Sequence, residues 1–245
     1  MYWILPILFI ILIIALTKPI QESFSPNNIN KIHKDSTHFK QTQNQPPPYK
    51  INVPIILLGD SILANEFYVD KGSSVYDILK NKYHNTLTFA KDNATIQDIT
   101  YQFNSLPKNI INKKNIIIII SIGANDILKN YSALQLHSDS ISPVENASDL
   151  KIIFNKYSKS INYIRTKCNC KIILCNIYYP LSIHFVKYYH LIDIWNKKLR
   201  NYAYINNLEI IELDDQFIDK NDFTNDVEPS HKGSLIIVEN IIQKI

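Results

Sequence analysis

Two short polar clusters, Gly59-Asp60-Ser61 and Gly123-Ala124-Asn125-Asp126, each follow a strongly apolar run and carry the residues best suited to chemistry in this chain. Ser61 follows Ile55-Ile56-Leu57-Leu58. Ligands of open α/β sheets collect at the carboxyl ends of the strands, so a serine delivered there is placed where a nucleophile would be useful. The same tripeptide also suits a tight bend in which Asp60 or Ser61 caps the following helix. Asn125 has a comparable second reading, a turn residue after a strand. A third cluster near the carboxyl terminus, Asn225-Asp226-Val227-Glu228-Pro229-Ser230-His231-Lys232-Gly233, sets an acid and an imidazole three residues apart. Imidazole is the one group among them whose ordinary pKa lies near neutral, which makes His231 a candidate general base and Glu228 its orienting acid.

These clusters need elements to hold them. Ile55–Leu58 and, within Asn115–Ile120, the five isoleucines are apolar without alternation, the pattern of strands covered on both faces in a parallel sheet. Ser74-Val75-Tyr76-Asp77 has capping-box form, with Val75, Ile78, Leu79 and Tyr83 on one helical face. A short strand near Thr86–Phe89 follows. Thr95 and Asp98 repeat the capping-box spacing, ahead of Ile96, Ile99, Phe103 and Leu106. A helix bearing Leu150, Ile153, Phe154, Tyr157, Ile161 and Ile164 leads to a strand at Lys171–Ile177. Another, bearing Phe185, Tyr189, Ile192, Trp195, Leu199 and Tyr202, leads to a strand at Leu208–Leu213. Leu235, Val238, Ile241 and Ile245 mark a closing helix. Five strands alternating with helices imply a five-stranded parallel sheet in a three-layer α/β/α architecture, with 2-1-3-4-5 as the expected order. That order makes the ends of the first and third strands neighbours, so that Ser61 and Asn125 face one cleft.

Composition narrows the function classes. The net charge of +4 is spread along the chain without a basic run interleaved with aromatics, which argues against nucleic-acid binding. No glycine-rich phosphate loop is present. Cys168, Cys170 and Cys175 lack the spacing of a zinc site and read as free thiols; no metal and no cofactor are expected. Tyr2–Thr17 contains no charge and is almost wholly apolar, suited to a bilayer. Residues 1–20 are accordingly expected to be a hydrophobic helix acting as a single-pass membrane anchor. The alternative is a signal peptide, cleaved to release a secreted protein. Residues 21–50, polar and ending in Gln45-Pro46-Pro47-Pro48, read as a flexible linker, and residues 51–245 as one domain.

With these blocks in place, the chain resembles the SGNH (GDSL-type) hydrolases over about residues 51–245. Gly59-Asp60-Ser61 matches the nucleophile block and Gly123-Ala124-Asn125-Asp126 the Gly-x-Asn-Asp block, with Asn196 and Asp214 in keeping with weaker features. The resemblance implies a flavodoxin-like SGNH fold and an esterase or acylhydrolase that forms an acyl-enzyme on Ser61. It implies an oxyanion hole from the Ser61 backbone N–H and the Asn125 amide, with Gly123 in the same block. The family's third donor is usually a glycine N–H, and Asn93 stands at that position. The family's last block, Asp-x-x-His-Pro-Asn-x-x-Gly, fits in two registers. Acid-x-x-His spacing pairs Glu228 with His231; the Pro-Ser-x-x-Gly frame puts Glu228 in the histidine position and Asn225 in that of the aspartate. His231 is the expected base. The expected substrate is a small-molecule, glycan or lipid acyl ester, with no obligate protein partner; the alternative is a catalytically impaired, membrane-tethered binding or interaction domain.

Overall fold

The first strand, β1 (Ile55–Gly59), is buried at every position. A computed structural model describes residues 53–113, 115–135 and 143–245, giving only the backbone of the helical residues among 130–148. The expected anchor and linker, residues 1–20 and 21–50, lie outside the described residues. Among the described helices, none is long and apolar enough to cross a membrane.

Five strands form one sheet in the order β2-β1-β3-β4-β5, as expected. The other strands are β2 (Thr86–Thr88), β3 (Ile116–Ser121), β4 (Cys170–Cys175) and β5 (Glu209–Ile211). Every pairing is parallel, and Gly59 stands level with Ser121. β-Branched isoleucines fill β3, whose six residues are all buried, because both faces of the sheet are covered and each branched side chain packs on a pleated surface. Alternate residues serve opposite layers. Ile56, Leu58, Ile118 and Ile120 pack with Ile99, Phe103, Tyr157, Ile161 and Trp195. Ile55, Leu57, Ile117 and Ile119 pack instead with Val75, Leu79, Ile237, Val238 and Ile241.

The first of these layers is built by helices α2 (Ile96–Asn104), α5 (Pro143–Lys167) and α6 (Tyr189–Ile205). The second is built by α1 (Val75–Lys82) and α7 (His231–Lys244). Two shorter connections, α3 (Lys108–Ile111) and α4 (Ala124–Gln135), flank β3. Thr95 and Asp98 form the expected capping box at α2. At α1 only half of one forms: the Ser74 hydroxyl accepts from Asp77 N–H at 3.0 Å, while the Asp77 carboxylate turns back to Gly72 N–H.

Three local expectations differ. Phe185 belongs to a 3₁₀ segment, Ile183–Tyr188, that precedes α6. Leu235 is exposed, because α7 presents Ser234, Ile237, Val238 and Ile241 to the sheet. Cys168 and Cys170 are joined as a disulfide, leaving only Cys175 free and buried. The turn between α5 and β4 brings the two Cα atoms to 5.4 Å, within the range a bridge spans.

Candidate active site

The turn after β1 is fixed by a glycine and a glutamine. Gly59 has φ +138°, and a Cβ there would sit 1.8 Å from the Ser121 carbonyl oxygen, so only glycine lets β1 approach β3 this closely. Gln102, buried on α2, receives the Gly59 N–H at 2.7 Å and donates to the Gly59 carbonyl at 2.9 Å. Asp60 then does the capping that the tripeptide had left open between itself and Ser61. Its carboxylate accepts from Ile62 N–H, and its carbonyl accepts from Leu63 and Ala64. Burial pushes the Asp60 carboxyl well above its ordinary pKa, with Glu228 and Asp126 adding to the rise. Ser61 is thereby left out of the cap. Its hydroxyl donates to Glu228 Oε1 at 3.1 Å.

Glu228 arrives from the far end of the sequence on a tightly pinned loop. Phe223 and Pro229 form an antiparallel bridge, with Thr224 N–H donating to the Glu228 carbonyl and Ser230 N–H to that of Asp222. The Asn225 side chain accepts from the N–H groups of Val227 and Glu228, and Tyr178 donates to the Val227 carbonyl at 2.7 Å. Asn65, fully buried four residues after Ser61, closes the link. Its amide donates to the Pro229 carbonyl at 3.1 Å and to the Ser234 hydroxyl at 2.7 Å, while its oxygen accepts from Val75 N–H. Burial raises the Glu228 carboxyl to about 7, the hydrogen bond from Ser61 works against that rise, and the nearby Asp92 charge adds to it. Among the described residues no group donates to Glu228 Oε2, which is itself buried. A carboxylate so poorly solvated holds its proton longer.

His231 lies elsewhere. It is the exposed first residue of α7, its Nδ1 is 3.4 Å from the Ser73 carbonyl, and it borders a separate hollow with Phe67, Tyr68 and Asp70. Glu228 and His231 straddle the start of the helix, where Ser230 is the N-cap. Residue 228 lies in the bend ahead of that helix, so three-residue spacing does not put the two side chains on one helical face. The structure brings Glu228 to Ser61 in the register of the Pro-Ser-x-x-Gly frame. Gly233, the end of that frame, is required by packing: a Cβ there would lie 2.3 Å from the Asp222 carbonyl oxygen.

Asn125, at the start of α4, borders the same cleft as Ser61 and Glu228. One amide N–H of Asn125 is held by the Ala94 carbonyl at 2.9 Å, and a primary amide has a second to offer. That contact sets the Asn93-Ala94 loop beside Asn125. Asn93 has φ +58°, the left-handed conformation that asparagine tolerates, but its exposed side chain turns to Asp92. Asp126 anchors the loop's far end by accepting from Ile96 N–H at 3.0 Å. Burial lifts the Asp126 carboxyl to about 6. Gly123, grouped with the oxyanion donors from sequence, packs against Trp195. At φ +122° it has no room for a side chain, since a Cβ would meet the indole ring at 2.3 Å.

The cleft has a volume of about 560 Å³ including its open mouth. Ser61, Asn125 and Glu228 form its polar end, and Ile127, Leu128, Ile177, Phe185, Tyr188 and Ile192 line much of the rest. Its shape suits a ligand with one reactive polar group and an apolar remainder. Sequence reading missed Asn65 and Gln102, although both left a signal. Each is a polar residue inside an apolar pattern, Gln102 three positions after Ile99 on the buried face of α2, and such residues require partners. Asn196 is a third of the kind, bonding both the N–H and the carbonyl of Ile177. Among the described residues no cluster of three or more His, Cys, Asp or Glu converges as metal ligands would.

A family profile for GDSL-like lipase/acylhydrolase matches residues 55–239. The chain belongs to that family, and its sheet order and flanking helices are those of the SGNH α/β fold. A search of curated proteins finds no match. Solved structures similar to it include a member of the lipolytic G-D-S-L family from Veillonella parvula, 18% identical, with a TM-score of 0.57 over 78% of this chain and 97% of that one. A GDSL-like lipase from Bacteroides thetaiotaomicron is 14% identical, with a TM-score of 0.58 over 79% and 87%. A catalytic mutant of an acetylxylan esterase from Geobacillus stearothermophilus is 15% identical, with a TM-score of 0.56 over 80% and 95%. At these identities the likeness is one of fold.

Proposed function

We propose that this chain is a serine esterase in which Ser61 is the nucleophile and Glu228, in the place the family gives to histidine, is the general base. The observation that carries the proposal is the hydrogen bond from Ser61 Oγ to Glu228 Oε1 at 3.1 Å. A base must lie within reach of the proton it takes, and it works best with a pKa near the working pH. Burial brings the Glu228 carboxyl to about 7, so geometry and proton affinity agree.

In the proposed reaction the Glu228 carboxylate takes the Ser61 proton as Oγ attacks the ester carbonyl. The protonated acid then returns it to the departing alkoxide. Water, deprotonated by the same carboxylate, attacks the acyl-enzyme carbonyl, and Glu228 passes that proton to Ser61 Oγ as it leaves, freeing the acid. The Ser61 backbone N–H and the second Asn125 amide N–H would meet the developing oxyanion, each such donor typically contributing about 3 kcal/mol. The apolar walls of the cleft suit the acyl group.

A fluorophosphonate probe tests the reading. Stoichiometric labelling of Ser61 that is lost in Glu228→Gln supports it. Silence in folded protein would favour the second reading, a binding domain, which the carboxylate at the histidine position and Asn225 at the aspartate position keep in view.

A further inference from the structure

The bridge between Cys168 and Cys170 stands apart from the cleft. β4 begins at Cys170 and runs parallel to the other strands, so the pair lies at the edge of the sheet opposite the one that carries Ser61 and Asn125. One residue, Asn169, separates the two cysteines. A bridge that closes so short a loop removes little freedom from the unfolded chain, so it stabilises the fold far less than one spanning a long loop. The turn is also held without it. Cys168 N–H donates to the Ile164 carbonyl at 3.1 Å as the last turn of α5 closes, and Arg165 donates to the Asn206 side chain at 2.7 Å. Cys170 stands in register with Ile116 of β3. None of these contacts uses a sulfur atom, so the backbone keeps the two Cα atoms near 5.4 Å whether the sulfurs are joined or not. Cys175 takes no part: it is buried, and burial pushes its thiol well above its ordinary pKa.

We propose that Cys168 and Cys170 form a thiol–disulfide exchange site whose reductant is a dithiol. Cys170 is partly exposed and Cys168 is buried, so the incoming thiolate attacks Cys170 Sγ. The bond between the two cysteines breaks and a mixed disulfide forms on Cys170. Cys168 leaves as a thiolate and takes up the proton that the attacking thiol gave up. A monothiol goes no further. Cys168 is held beside the mixed disulfide at a high effective concentration, and its thiolate attacks Cys170 Sγ and expels the monothiol. A dithiol carries its own second sulfur. That sulfur, as the thiolate, attacks the first sulfur of the dithiol, expels Cys170 as a thiolate that takes the second proton, and leaves the dithiol as a disulfide. Two electrons have then passed from the dithiol to the cysteine pair, and the reverse sequence restores the bridge. Lys167 and Lys171 bracket the pair with positive charge, which favours the thiolates through which exchange runs, although Lys171 also meets Glu209 at 2.7 Å.

The test uses the full chain in native buffer. It is incubated with dithiothreitol or with mercaptoethanol at equal total thiol, quenched with acid and alkylated, and the peptide holding residues 168–170 is weighed by mass spectrometry. Complete opening by dithiothreitol, closure when oxidised dithiothreitol replaces it, and a bridge still closed in mercaptoethanol are the expected results. The urea midpoint of the opened chain should match that of the closed one. In Cys168→Ser the remaining Cys170 thiol should react with dithiobis(nitrobenzoate) in folded protein roughly 10-fold or more faster than Cys168 does in Cys170→Ser, because burial shields the latter.

Opening only in denaturant, or loss of the fold on opening, would make the bridge a structural staple and overturn the proposal. Two thiols that fail to close in oxidised dithiothreitol overturn it as well. Equal opening by mercaptoethanol rejects the dithiol as the required reductant, and equal rates in the two variants reject Cys170 as the sulfur attacked. None of these readouts depends on ester turnover, and those on the unaltered chain stand whether or not either variant folds.

Discussion

Asn65 and Pro229, distant in sequence, are joined by one hydrogen bond of 3.1 Å, and through it the turn that presents Ser61 is tied to the loop that presents Glu228. Neither side chain enters the proposed chemistry. The bond sets how far apart the two reacting groups stand.

On the proposed mechanism, Glu228→Gln lowers kcat by on the order of 10³- to 10⁶-fold and Ser61→Ala does the same, because members of one catalytic unit fail together. His231→Ala leaves the rate nearly unchanged. Steady-state hydrolysis of short p-nitrophenyl esters checks the ranking. A dead His231→Ala beside an active Glu228→Gln would reverse it.

Asn125→Ala should lower kcat by roughly 10²- to 10³-fold with little change in KM, as removal of one oxyanion donor does. A fall in KM-dependent terms alone would assign Asn125 to ground-state binding instead.

The pH profile carries its own sign. Glu228 is active as base only when ionised, so kcat/KM should rise through about pH 7 and flatten above it. Stability runs the other way. The folded-state pKa is raised above the ordinary value of 4.5, so the folded state binds the proton more tightly, and this group's contribution is greatest below 4.5 and is lost as pH rises to about 7. Urea denaturation across that window should show a shallower decline in Glu228→Gln than in the unaltered chain.

Gln102→Leu should destabilise the fold by about 1–3 kcal/mol, because the buried Gly59 N–H loses its acceptor. The Gly59 carbonyl keeps a second donor, Lys91 N–H at 3.0 Å, which limits the cost. Equilibrium unfolding measures the difference. No change would mean that β1 shifts to find another partner.

The sheet order was legible because unbroken apolar runs alternating with helices leave few arrangements of a parallel sheet. Ser61 and Asn125 were legible for the same reason, since neighbouring strands deliver them to one edge. Glu228 and His231 were ambiguous because spacing along a sequence translates into a shared face only inside a regular element, and Ser230 begins the helix between them. Gly123 carries a steric need that was not legible: the Trp195 ring that forbids a side chain there comes from a helix far along the chain, and no local pattern announces it. Gln102 pairs with the backbone of Gly59 and Asn65 largely with backbone groups, which carry no residue-type signal of their own.

The contact between Ser61 and Glu228 also changes the kind of charge movement an acyl transfer would involve. A neutral imidazole base begins without charge and ends as a cation facing an oxyanion, so two opposite charges are created and held apart. A carboxylate base begins as the anion. As it takes the serine proton, its negative charge migrates to the carbonyl oxygen of the ester, and no cation is formed. Such a site has no need of a third residue to steady an imidazolium, which accords with Asn225 spending its side-chain oxygen on the backbone of its own loop. The work of stabilisation falls instead on the receiving end of the migration, where the amide of Asn125 waits.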